Sequence, residues 1–170
     1  MNNTRTLVLG ILLSGLAVIF QLMPVLLSEA VIFLTVLSTV PIYVIARTAP
    51  RIGIIAYVIT GIVISIINIH EGLIYVFTNG IIGLALGIGM YNTRNRVVVC
   101  ALTALLLAVT LNFLHSFIGI PVLGIDLPEA FLVRMIILLV FSAVYAGIAL
   151  CLLEQLMKKV NRYGRSYTVR

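Results

Sequence analysis

This sequence has no tryptophan, only two cysteines and two histidines, and five acidic residues in 170 positions. Charged residues make up 9% of it, against about 25% in an average soluble globular domain. Too few charges remain to solvate a surface, which excludes an ordinary water-soluble enzyme. The shortage of charge and proline also excludes disordered and collagen-like chains. Cys100 and Cys151 are too few for a disulfide framework and lie far from His70 and His115 in the chain. They read as buried free thiols, with no zinc-type cluster and no metal or cofactor expected.

Hydrophobic residues make up 62% of the chain. They gather in runs at about 7–27, 30–46, 52–69, 72–91, 97–118 and 129–157. A helix rising 1.5 Å per residue needs about 20 residues to cross a ~30 Å hydrocarbon layer. The expectation is an all-α integral membrane bundle of six transmembrane helices over 1–157, followed by a basic tail at 158–170. The first run exceeds the 7–15 residue core of a secretion signal and reads as a span.

The charges sort by side. Ten of the eleven basic residues fall before span one, in alternate gaps, or after span six: Arg5, Arg47, Arg51, Arg94, Arg96, Lys158, Lys159, Arg162, Arg165 and Arg170. The other gaps carry Glu29, Glu71, Asp126 and Glu129; Glu154 and Arg134 are the exceptions. By the positive-inside rule both termini are cytoplasmic, in the plasma membrane. The net charge of +6 is then topological and implies no nucleic acid. The tail is suited to anionic lipid headgroups, at ~1 kcal/mol per basic residue near the surface.

Short gaps punctuated by Pro24, Pro50, Asn68 and Asn95 make successive spans antiparallel neighbours. The longest gap, about 119–128, is the candidate lid. Pro41 is expected to kink span two near Val40. Gly80, Gly83 and Gly87 on span four, and Gly10, Ser14 and Ala17 on span one, mark faces of close helix approach.

Polar residues collect at the outer ends of the later spans: Asn68, His70, Glu71, Tyr75 and Asn79, then Asn112, His115 and Ser116, then Asp126, Glu129 and Arg134. They are expected to line one external pocket. Arg134 falls ~7–8 Å past Glu129 along a helix and must snorkel, pair or face a cavity. An i,i+5 offset turns Glu129 away, leaving Glu71, Asp126 or an anionic ligand group as the partner. Asn79 and Asn112, about two turns inside their spans, need hydrogen-bond partners. No catalytic signature accompanies them: Gly87-Ile88-Gly89 lacks a βαβ context, His70-Glu71 lacks a second histidine, and there is neither a GxSxG elbow nor a P-loop. The chain reads as a non-enzyme.

Six spans, both ends inside, a small-residue face on span one and outward polar groups resemble the substrate-binding (S) components of energy-coupling factor (ECF) transporters. Val40-Pro41-Ile42-Tyr43 through Arg47, Arg51-Ile52-Gly53, and Gly80 to Gly89 are similar to an uncharacterised bacterial membrane-protein group related to that fold. The resemblance implies capture of a vitamin-like micronutrient in an outward pocket, and the polar residues read above supply its expected contacts: Arg134 for an anionic group, and Glu71, Asn79, Asn112, His115 and Glu129 for orienting hydrogen bonds. It also implies a transmembrane coupling protein docked on Gly10, Ser14 and Ala17, which keep the small size but not the alanines of the family's AxxxA face, and two ATPase subunits. As the runner-up, the architecture is also similar to MreD, a scaffold of the cell-wall elongation complex; there the same polar residues serve as interhelical or partner contacts and no solute binds.

Overall fold

Helix starts follow from local chemistry. Pro50 takes the first position of its helix, where its missing N–H forfeits no bond. Asn68 accepts the N–H of Glu71 at 3.2 Å, and Asn95 accepts those of Val97 and Val98 at 3.1 and 3.4 Å. Each cap satisfies donors that a helix start leaves open, at about 1 kcal/mol.

The computed structural model describes residues 3–27, 29–93, 95–119, 128 and 130–166. The chain runs α1 (Asn3–Leu26), a 3₁₀ segment (Glu29–Ser38), α2 (Thr39–Thr48) and α3 (Pro50–Ile67). It continues through α4 (Ile69–Ile74), a π turn (Tyr75–Asn79) and α5 (Gly80–Asn92), then α6 (Arg96–Phe113), a second π turn (Leu114–Ile118) and α7 (Phe131–Ser166). Among the described residues there is no strand. Six segments are long and apolar enough to cross a membrane: Thr4–Leu26, Val31–Thr48, Pro50–Ile67, Ile69–Asn92, Arg96–Ile118 and Phe131–Lys159. The protein is an all-α, multi-pass membrane bundle.

Spans two and six differ from the sequence expectation. Span two changes helix type at Ser38–Thr39 and bends at Val31 (φ −101, ψ 16), so its irregularity precedes Pro41. Pro41 has no N–H to return to Leu37, so tighter winding ahead of it loses no α-helical bond there. Span six begins at Phe131, which puts Arg134 in its first turn, and its helix continues through Ser166 into the basic tail. Gly119 ends span five with φ 74, a left-handed stop that glycine adopts without strain.

The half of span two formed by α2 lies along α5. A Cβ at Gly83 would come within 2.6 Å of the Thr39 carbonyl oxygen, and one at Gly87 within 2.6 Å of Ala46 Cβ. The glycine face of span four is therefore filled from within the chain. Tyr43, Ile82, Leu86, Leu107, Leu111 and Leu138 form one buried cluster, and Ala17, Ile42, Ile45, Ala56, Ile64 and Tyr75 another. Leu12, Ile66 and Leu132 are among the large apolar side chains left exposed, as lipid-facing residues are. With hydrocarbon outside as well as inside, close contact and interhelical hydrogen bonds hold such a bundle together.

The end nearest the termini carries its own ion pair. Glu154 is buried, and Arg96 Nη2 meets its Oε2 at 2.9 Å. Arg47 donates to the Tyr43 hydroxyl at 2.6 Å and lies over that ring at 5.6 Å. The one acid on the basic side of the sequence is thus neutralised by Arg96.

Candidate functional site

Gln21 is the centre of a polar seam that links four spans. Fully buried on α1, it donates from Nε2 to Glu71 Oε2 at 2.9 Å. Its Oε1 accepts from Ser38 Oγ at 2.9 Å and from Asn79 Nδ2 at 3.1 Å. Asn79 Oδ1 in turn accepts from the Tyr145 hydroxyl at 3.4 Å. The Tyr145 hydroxyl and the amides of Asn79 and Gln21 all donate toward the Glu71 carboxylate, an arrangement in which successive bonds polarise and strengthen one another, while Ser38 shares its one proton with the Thr35 carbonyl at 2.6 Å. Asn79 stands ten residues past the start of α4, about 15 Å along the helix and near the middle of a ~30 Å hydrocarbon core. An amide at that depth needs partners, and it has them.

The backbone beneath the seam is also unusual. The Tyr75–Asn79 π turn widens the helix and frees carbonyls from the regular ladder. Three neighbouring helices supply hydroxyls to them: Tyr57 to Val76 O at 2.9 Å, Thr110 to Phe77 O at 2.9 Å, and Thr39 to Asn79 O at 3.1 Å. Donors from α3, α6 and α2 hold the distortion in place, as the absence of water in a bilayer requires.

A second polar group forms where span five ends and span six begins. Arg134 is half-buried, and its Nε donates to Asn112 Oδ1 at 2.9 Å. Among the described residues no carboxylate pairs with the guanidinium. An arginine in the first turn of a helix also meets the positive end of the helix dipole. His115 shares the Asn112 face at an i,i+3 offset, and its Nδ1 is buried without a hydrogen-bond partner among the described residues. Arg134 and Asn112 thus pair one positive charge with one amide, and His115, in the π turn that follows Asn112, carries a ring nitrogen with no partner among the described residues. Such a set can orient a carboxylate or phosphate, because a guanidinium offers parallel donors to two oxygens.

The single expected pocket is therefore two separate groups. Glu71 and Asn79 belong to the Gln21 seam, while Arg134 and Asn112 bond to each other. Glu129, Asp126, Arg94 and the candidate lid at 120–127 lie outside the described residues. Gly10 and Ala17 turn into the bundle, where a Cβ at Gly10 would meet Ile52 Cγ2 at 2.7 Å, and Ser14 bonds back to the Gly10 carbonyl at 2.9 Å. Sequence reasoning passed over Gln21, Ser38, Thr39 and Tyr145 as site members. The available signal was their isolation: Gln21 is the one amide side chain in an otherwise apolar stretch of span one.

The grooves on the bundle are apolar and lateral. One of about 430 Å³ lies between α1 and α3 over Gly10, Ser14 and Gly15, and one of about 420 Å³ between α5 and α6. A third, of about 240 Å³, separates spans two and six. None of these is lined by Arg134, Glu71, Asn79, Asn112 or His115. No family model matches this sequence, and neither the curated proteins nor the solved structures include one significantly similar to it.

Proposed function

We propose that this protein is a membrane-embedded solute-binding subunit of an ECF-type importer, with its site at the Arg134–Asn112 corner. The observation that carries this reading is a half-buried guanidinium held by a neutral amide, with no carboxylate partner among the described residues. A positive charge at a membrane end, left with hydrogen-bonding capacity, is suited to an anionic group on a small micronutrient. Both termini face the cytoplasm in this reading, on the strength of the basic-residue tally. The solute then enters from the outside, and the ATPases act from the side of the termini through a coupling protein. With Gly10 and Ala17 packed inward, that coupling protein meets Ser14 and Gly15 at the α1/α3 groove.

The Gln21 seam favours a second reading. Glu71 and Asn79 satisfy one another through Gln21 and bolt spans one, two, four and six together, as an MreD-like scaffold with no solute requires. Mass spectrometry of metabolites that co-purify with the detergent-extracted protein separates the two. An anionic small molecule retained by the wild type and lost from Arg134→Ala supports the importer. A ligand-free protein that retrieves elongation-complex proteins rejects it.

A further inference from the structure

The groove between spans two and six has a chemistry that the importer reading does not use. Its walls are Val36 and Val40 from span two, with Ala149, Leu152 and Leu156 from α7, and Lys159 stands at its end near the chain termini. Thr39 and Gln155 are its other polar side chains, and the rest of the lining is apolar. From Ala149 to Lys159 the groove follows ten residues of helix, about 15 Å. A groove of about 240 Å³ along that length has room for a hydrocarbon chain. An apolar slot closed at the membrane surface by an ammonium group complements a molecule with an apolar chain and an anionic head. The bilayer itself supplies one.

We propose that spans two and six hold an anionic phospholipid, one acyl chain lying along Val40, Ala149 and Leu152 and its phosphate on Lys159. Lys159 snorkels naturally to this position: its aliphatic stem covers the apolar end of the slot while the ammonium reaches the headgroup layer. The lipid belongs to the leaflet on the side of the termini. It seals a seam in which span two, wound as 3₁₀ helix through Ser38, does not close fully against α7. The site is independent of whether a solute is imported, and it is distinct from general attraction to the tail because Lys159 lines the slot and its described neighbour Lys158 does not.

The test is native mass spectrometry of the full chain, delipidated in mild detergent and offered equal amounts of phosphatidylglycerol and phosphatidylcholine. Wild type should retain phosphatidylglycerol about five-fold more strongly, the effect of one basic residue at an anionic surface. Lys159→Gln should erase that preference, and Lys158→Gln should keep it. Ala149→Phe and Val40→Phe fill the slot from opposite walls, and either one that melts like wild type should lower retention of both lipids. Equal loss in Lys158→Gln and Lys159→Gln would reduce the effect to surface charge and overturn the site. So would retention unchanged in the two slot-filling variants, or a lipid-free dimer joined across spans two and six.

Discussion

Gln21 hydrogen-bonds to side chains on two other spans. Its amide is both donor and acceptor, so one side chain serves the Glu71 carboxylate, the Ser38 hydroxyl and the Asn79 amide at once. Gln21→Leu keeps the volume and removes every one of those bonds. It should cost about 1–3 kcal/mol, because the Glu71 Oε2 and the Asn79 Nδ2 are left without the partner that Gln21 supplied. Glu71→Gln leaves an acceptor for the Gln21 N–H and should cost less than about 1 kcal/mol; reversible unfolding in detergent, read by circular dichroism, compares the two. Arg134 is the residue-level test of the proposed function. Arg134→Ala should weaken uptake or binding of an anionic solute about ten-fold or more, as loss of a charge-assisted contact does, while Lys158→Ala should leave it within about two-fold. Equal effects would place the solute elsewhere.

Two elements depend on what their neighbours bring. Span four can carry a π turn at membrane depth only because Tyr57, Thr110 and Thr39 reach its freed carbonyls. Tyr57→Phe and Thr110→Val should each destabilise by about 0.5–1.5 kcal/mol, with amide exchange at Val76 to Gly80 rising before exchange elsewhere in α5. The close approach of α2 and α5 depends on Gly83 and Gly87 in the same way. Gly87→Val should cost about 1–3 kcal/mol through overpacking against Ala46 and the Tyr43 carbonyl. Gly15→Val provides the contrast, since nothing lies within 4 Å of a Cβ there, and its melting temperature should stay near that of the wild type. Both are glycines in helix interiors, so propensity alone treats them alike.

For the whole molecule, the first question is orientation. In a background with Cys100 and Cys151 changed to serine, a membrane-impermeant maleimide applied to intact cells should label Asp126→Cys and spare Ser166→Cys; the reverse pattern would invert the topology and move the Arg134 corner to the cytoplasmic side. Much of the architecture was legible beforehand. Hydropathy located six spans, and Pro50, Asn68 and Asn95 marked the gaps between them, because the transfer of an apolar segment to hydrocarbon and the turn preference of proline and asparagine are local effects. Arg134 was singled out by its charge, but its neighbour Asn112 was not identified as its partner, because α6 and α7 come together by packing and not by sequence spacing. Gly10 and Ala17 illustrate the same limit: their size foretold a close contact, and only the fold shows that Ile52 makes Gly10's.

The run of apolar residues and the placement of arginine and lysine were enough, by themselves, to specify a six-span helical membrane protein with its basic side set apart from its acidic one. Those properties follow from transferring each segment between water and hydrocarbon, a free energy that each segment carries alone. Which polar groups meet was decided by the tertiary structure: Gln21 with Glu71 and Asn79, Arg134 with Asn112, Arg96 with Glu154. A hydrogen bond requires two side chains within about 3 Å of each other, and that proximity is set by how the helices rotate and tilt against one another.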